Sequence, residues 1–206
     1  MTSHEPTIID RKALRRELRQ RRRDIPAAQR IAAAESLAAR LLALPFLPEH
    51  GDVAGYWAMD GEIALHVLQM RLPSGLRYCL PVLAGDRLRF APWRPGDPLA
   101  TNRYGIPEPE VDEEALIDAN SMALVLVPLV GFDARGHRLG MGGGWYDRSF
   151  AFRNESQGIG RPPPWLVGTG FGMQQVEALD AQPWDVALDA ICSERDTIIV
   201  DPSGNS

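Results

Sequence analysis

Arg138-Leu-Gly-Met-Gly-Gly-Gly-Trp-Tyr-Asp-Arg148 stands downstream of Met122-Ala-Leu-Val-Leu-Val-Pro128, a short apolar run that ends in proline. The run has the length and β-branched content of a buried strand. Trp145-Tyr-Asp-Arg-Ser-Phe150 spaces its aromatics as a helix would. Strand, polar loop, glycine-rich turn and helix thus follow one another. In an open α/β sheet that order puts the loop at the carboxyl edge of the strands, where ligands bind. Gly140, Gly142, Gly143 and Gly144 let backbone N–H groups approach an anion closely. Arg138 and Arg148 flank them with positive charge, and Asp147 offers a hard oxygen suited to magnesium. The pattern reads as a nucleotide-phosphate cradle. A surface loop whose glycines serve only as turn residues is the competing reading. Two familiar phosphate loops do not fit: Gly-Lys-Ser/Thr is absent, and the last glycine of a dinucleotide fingerprint is replaced by Trp145.

The 206-residue chain is long enough for a single domain, 1–206, with a sizeable core. Residues 1–9 read as a disordered lead and 201–206 as a frayed tail. A net charge of −5 argues against a molecule-wide nucleic-acid surface, and no apolar stretch approaches a membrane span. A signal-peptide core is also missing. Cys79 and Cys192 lack metal-ligand spacing and read as buried thiols in a reducing cytosol, so a cytoplasmic location is expected.

Asp10 is a plausible N-cap for a helix reaching about Asp24, with Leu14 and Leu18 as its apolar stripe. The helix carries Arg11, Lys12, Arg15, Arg16, Arg19, Arg21, Arg22 and Arg23. Three uses compete for it: a solvated face, a nucleic-acid arm, or an anion contact in an active site. Pro26 opens a second helix, Ala27 to Leu44, expected to bury Ile31, Ala34, Leu37, Leu41 and Leu42. Asp52–Ala58 reads as the first central strand, leading to a helix from about Ile63 to Leu72 that turns Ile63, Val67, Leu68 and Met70 to the sheet. Glu62 would then sit in the first helical turn, where the macrodipole favours a carboxylate. Arg77–Val82 and Arg87–Pro92 read as paired strands, Arg94–Pro109 as a proline-stiffened loop, and 154–164 as an exposed loop. Trp165–Phe171 reads as a buried strand, and Ile191 with Ile198–Val200 as the last one.

Gly131-Phe-Asp, a spacer, then Arg138-Leu-Gly-Met-Gly-Gly-Gly-Trp-Tyr-Asp147 resembles the signature of the 5-formyltetrahydrofolate cyclo-ligases. Further matching pieces occur in the family's order: Leu14-Arg15, Glu62, Ile106-Pro-Glu-Pro109, Phe171-Gly-Met-Gln174 and Asp185-Val-Ala-Leu-Asp189. The resemblance implies an α/β fold: a three-layer α/β/α sandwich with a mostly parallel central sheet, similar to the NagB/RpiA/CoA-transferase type and preceded by the basic helix. It implies that ATP is contacted by Arg11, Lys12 and Arg15 and by Arg138, Leu139, Gly140, Met141, Gly142, Gly143, Gly144, Trp145 and Tyr146. Arg11 and Arg15, at i and i+4, share one helix face; Lys12 with Arg16 is the alternative register. Trp57, Glu62, Tyr104, Trp145 and Tyr146 are implied folate contacts, Asp147 and Asp185 magnesium ligands, and Arg138 and Arg148 catalytic cations.

The implied reaction is ATP- and Mg²⁺-dependent cyclisation of 5-formyltetrahydrofolate to 5,10-methenyltetrahydrofolate by a monomer, with no nucleic-acid or membrane partner. The γ-phosphoryl group activates the formyl oxygen and substrate N10 closes the ring, so no protein nucleophile is required. The chain departs from many relatives at Met141 and Gly143, where they carry arginine or lysine, and at Trp145, where they carry tyrosine. Two readings outside the resemblance stay open: another phosphoryl-transfer or sugar-phosphate enzyme on a related fold, and a nucleic-acid binder using the Arg11–Arg23 helix.

Overall fold

Seven strands build the central sheet of the computed structural model, which describes residues 10–154 and 162–201; the lead at 1–9, most of the loop at 154–164 and all but the first residue of the tail lie outside them. The strands in chain order are β1 (Gly51–Ala54), β2 (Leu76–Ala84), β3 (Arg87–Pro92), β4 (Leu99–Thr101), β5 (Pro107–Pro109), β6 (Leu124–Pro128), β7 (Gly131–Phe132), β8 (Arg138–Leu139), β9 (Trp165–Thr169), β10 (Ala190–Cys192) and β11 (Thr197–Ile199). The large sheet has the order β3-β2-β1-β6-β9-β10-β11. Its interior pairings, β2 to β1, β1 to β6, β6 to β9 and β9 to β10, are parallel. Both edge strands are antiparallel. The fold is therefore the mostly parallel α/β type expected.

Among the described residues four α-helices accompany it: α1 (Arg11–Arg23), α2 (Ala27–Leu42), α3 (His66–Arg71) and α4 (Trp145–Ser149). Asp10 caps α1 by accepting from the Lys12 and Ala13 N–H groups. Helices α2 and α3 cover one face of the sheet, burying Leu37, Leu41, Val67 and Leu68 against Val53, Leu126 and Val167. The opposite face packs Phe90, Val125, Val127 and Ile191 against Phe150 and the flank of α4. That second layer consists of one short helix, 3-10 turns and loops. Leu18 of α1 completes a separate small cluster with Val130, Leu139 and Leu179.

Five expectations need correction. Ile31 is exposed, because α2 buries Ala33, Ala34, Leu37, Ala38 and Leu41 and turns Ile31 outward. Met70 is exposed as well. Ile63 is buried but precedes the helix, since α3 starts only at His66. Glu62 is consequently not in a helical turn, and the macrodipole does not account for it. The segment Arg94–Pro109 contains a hairpin, β4 against β5, where a plain loop was expected. Cys79 and Cys192 are buried free thiols, as the sequence suggested. Burial pushes them up to about 12 and about 11.

Candidate active site

A cavity of about 610 Å³ opens where β1 and β6 end, under the β4–β5 hairpin and beside the N-terminal half of α1. Tyr56 and Trp57 follow β1, Pro128 ends β6, and Gly140–Asp147 forms one wall. Carboxyl ends of neighbouring parallel strands supply the floor, which is the position sheet topology favours for ligands.

The glycine loop is shaped by backbone constraint at two positions. Gly142 has φ +97° and Gly144 φ +64°, a region where side chains with a Cβ are strained. A Cβ at Gly140, in contrast, would meet nothing within 4 Å. Arg15 donates through Nε to the Gly140 carbonyl at 2.8 Å. Arg11 donates to the Asp180 carbonyl at 2.7 Å and lies 3.8 Å from Asp185. Both arginines line the cavity. Lys12 is exposed and outside the lining, so the face of α1 that meets the cavity is the one carrying Arg11 and Arg15.

Arg138 is buried with its guanidinium between the Asp147 carboxylate and the Val186 carbonyl. Burial lowers its pKa, and Asp147 and Asp185 oppose that shift. Arg148 does not line the cavity. It donates to the Asp86 and Gly143 carbonyls and lies over the Trp145 ring, bracing the loop from behind. Leu139 is likewise fully buried and meets the cavity with no side-chain atom. The loop residues Met141, Gly142, Gly143, Gly144, Trp145 and Tyr146 all line it.

Asp147 and Asp185 both face the cavity. Asp147 Oδ1 accepts from Arg138 and from the Val186 N–H, and Asp185 Oδ2 from the Gln182 N–H. Among the described residues, Asp147 Oδ2 and Asp185 Oδ1 take no hydrogen bond. No group of three or more metal-ligating side chains occurs among the described residues. Two carboxylates with free oxygens fit magnesium, which takes most of its ligands from phosphate and water.

The remaining lining is largely apolar and aromatic. Tyr56, Trp57, Pro81, Leu83, Leu88, Tyr104, Ile106 and Trp184 contribute to it. Trp57 meets Trp93 edge-on, with ring centroids 5.6 Å apart. Tyr104 does the same with Trp145 at 6.1 Å, and Arg103 lies over both rings. Glu62 presents its carboxylate here, accepting from the Met59 N–H at 2.9 Å. Burial raises its pKa, while that hydrogen bond and Arg22 act in the opposite direction. The Tyr56 hydroxyl donates to the Ile63 carbonyl at 2.9 Å, fixing the segment that carries Glu62.

A model of the 5-formyltetrahydrofolate cyclo-ligase family matches residues 8–194. The chain belongs to that family. The cyclo-ligase of Haemophilus influenzae is 34% identical over 182 residues, covering 86% of this chain and 94% of the relative. That of Escherichia coli K12 is 34% identical over 178 residues, covering 84% and 94%. The NMR structure of Aquifex aeolicus 5,10-methenyltetrahydrofolate synthetase superposes with a TM-score of 0.78 at 26% identity, with 96% of each chain covered. The chain thus covers nearly the whole length of the Haemophilus influenzae and Escherichia coli relatives.

Some residues around the site carry no motif, and others stand in a motif without a role assigned from sequence. Tyr56 reads there as an ordinary strand residue, Asp60 as part of the turn after that strand, and Arg22 as one arginine among many on the basic helix. Asp133, within the Gly-Phe-Asp motif, is fully buried. It accepts from the Arg135, His137 and Leu179 N–H groups and so ties the β7–β8 hairpin to the segment that leads to Asp185. Gln174 is also buried, donating to the Leu129 and Val130 carbonyls and accepting from Phe171 N–H. Both motif residues build the wall and do not line the cavity.

Proposed function

We propose that this cyclo-ligase converts 5-formyltetrahydrofolate to 5,10-methenyltetrahydrofolate with ATP and magnesium as co-reactants, releasing ADP and phosphate. The supporting observation is the union, in one cavity, of a glycine loop beside Arg11, Arg15 and Arg138 and an apolar, aromatic chamber that also holds the Glu62 carboxylate. The first suits a triphosphate. The second suits a flat heteroaromatic ring with a hydrogen-bonding edge.

The formyl oxygen of an amide is a poor leaving group. Its attack on the γ-phosphorus breaks the β–γ bridge, releases ADP and leaves an activated iminium phosphate. N10 of the substrate then adds to the formyl carbon and loses its proton, and cleavage of the carbon–oxygen bond expels phosphate. Arg11, Arg15 and Arg138 neutralise phosphate charge, and the N–H groups of Gly142 to Gly144 approach the oxygens. Asp147 and Asp185 would hold magnesium, which when bound shields the charge of the phosphate chain. Glu62 orients the pterin, with Trp57, Tyr104, Trp145 and Tyr146 as its apolar surround. No protein nucleophile is needed, in keeping with two buried, unreactive thiols.

The basic helix supports this reading over a nucleic-acid arm. Arg11, Arg15, Arg19 and Arg22 turn toward the body of the protein and are engaged there. Among the described residues no helix is long and apolar enough to cross a membrane. The test is growth of the methenyl product's near-ultraviolet absorbance from 5-formyltetrahydrofolate. Growth in the presence of ATP and magnesium, and none when either is withheld, is expected; no growth under any condition contradicts the proposal.

A further inference from the structure

Beneath the Glu62 side of the cavity lies a cluster of charges that the reaction itself does not use. Arg22 is 1% exposed although it belongs to the most basic helix of the chain. Its Nε donates to the Asp60 carbonyl at 3.1 Å, one terminal nitrogen to the Asp60 carboxylate at 3.0 Å, and the other to the Leu129 carbonyl at 3.2 Å. That last nitrogen also lies 3.7 Å from Glu62 Oε1. Asp60 has φ +49° and Gly61 φ +78°, so two consecutive residues sit in left-handed backbone conformation. A non-glycine residue there needs support from its surroundings. The turn is closed by the Glu62 N–H donating to the Met59 carbonyl at 2.9 Å, and it delivers Glu62 to the cavity wall.

We infer that Arg22 is a positioning residue for Glu62: it clamps the left-handed Asp60–Gly61 turn through both the carbonyl and the carboxylate of Asp60, and presents its cation to the Glu62 carboxylate. A guanidinium suits this task because its planar fork reaches a carbonyl and a carboxylate at once. A purely mechanical role, fastening α1 to the body, would require only the contacts to Asp60 and Leu129. The approach to Glu62 adds an electrostatic one. Glu62 faces Arg22 and Arg19 from α1, Asp60 from its own turn, and the buried phenols of Tyr56 and Tyr146. Burial raises its pKa and Arg22 holds it down; Asp60 works with burial. Removing Arg22 therefore favours the protonated acid, and removing the charge of Asp60 favours the carboxylate. The two changes have opposite sign.

The inference rests on Glu62 being a substrate contact, and the experiment separates the two claims. Steady-state kcat/KM for 5-formyltetrahydrofolate is measured against pH at saturating ATP and magnesium. Wild type should show an acid limb that Glu62→Gln abolishes. In Arg22→Met the limb should move up by about one pH unit, the scale of losing an opposite charge within a few ångströms. Activity on the old limb then falls roughly tenfold. Arg22→Lys should restore most of the limb. Asp60→Asn, which keeps the Arg22 bond to its carbonyl, should move the limb down. A limb that stays in place in Arg22→Met, with only Tm lowered, overturns the inference in favour of simple fastening. Should Arg22→Met fail to fold, an unmoved limb in Asp60→Asn overturns it equally. A limb that survives Glu62→Gln also overturns it. Wild-type protein with no cyclisation at any pH would instead sink the reading of the cavity itself.

Discussion

Arg15, in the second turn of α1, holds the carbonyl of Gly140 at 2.8 Å, although 125 positions separate them in sequence. The first helix thereby fixes the entrance of the glycine loop and brings its cation to the place proposed for phosphate. Charge-assisted contacts are worth roughly 1.5–3 kcal/mol each. Arg15→Ala should raise the ATP KM at least about tenfold, with no matching change in the folate KM. Initial rates across an ATP titration check this; an unchanged ATP KM removes Arg15 from the site. Deleting residues 1–24 should be worse, because the buried side chains of Leu18 and Arg22 leave too.

The glycines of the loop are not equivalent. Gly142→Ala places a Cβ at φ +97° and should cost about 1–2 kcal/mol in the loop conformation. Gly140→Ala meets open space and should leave Tm unchanged. The ATP KM of the first variant should exceed that of the second severalfold. Gly143→Lys, which on sequence grounds would restore a missing charge, brings its Cβ to 2.9 Å from the Trp145 ring. No gain in ATP affinity is expected from it.

Asp147→Asn should reduce kcat by roughly two orders of magnitude, the scale for losing one charge-stabilising group in a closed site. The protein should remain folded with a lowered Tm, because buried Arg138 loses its counter-charge. A magnesium titration that matches wild type would remove Asp147 from the metal site.

Asp60 gives a pH-dependent prediction. Against the burial that works to raise it, hydrogen bonds from Arg19 and Arg23 and the charges of Arg19 and Arg22 hold its carboxyl down to about 2. A depressed folded pKa contributes stability above the unfolded value, near 3.8, and that contribution fades as pH falls toward about 2. Asp60→Asn should therefore melt several degrees below wild type at pH 7. The difference should shrink steadily between about pH 4 and pH 2. A gap of constant size across that range would assign the effect to the altered turn and not to charge.

Local signals carried the sequence reading far. Asp10 announced the start of α1, Pro26 preceded α2, and the apolar runs at Leu124–Pro128 and Trp165–Thr169 marked central parallel strands. The glycine loop was located from its residue types, and it does form a wall of the cavity. Helix faces were less legible. Ile31 and Met70 fit an apolar stripe by spacing, yet both are exposed while their helices bury other residues. Glu62 does line the cavity, but the local reading was wrong, since a left-handed turn, and not a helix, carries it. The inward role of Arg22 could not be read at all. It depends on how α1 crosses the Asp60 turn, and a run of arginines looks alike from every side. The β4–β5 hairpin was hidden because proline at both ends of β5 imitates an irregular loop.

The most direct test of the central claim follows product and nucleotide together in one reaction. Wild-type protein is given 5-formyltetrahydrofolate, ATP and magnesium, and methenyl product is recorded by near-ultraviolet absorbance while ADP is measured in the same samples. The expected result is one ADP per methenyl group formed, with neither appearing when the folate is left out. Product formation without ADP, or ADP release independent of folate, would contradict the account.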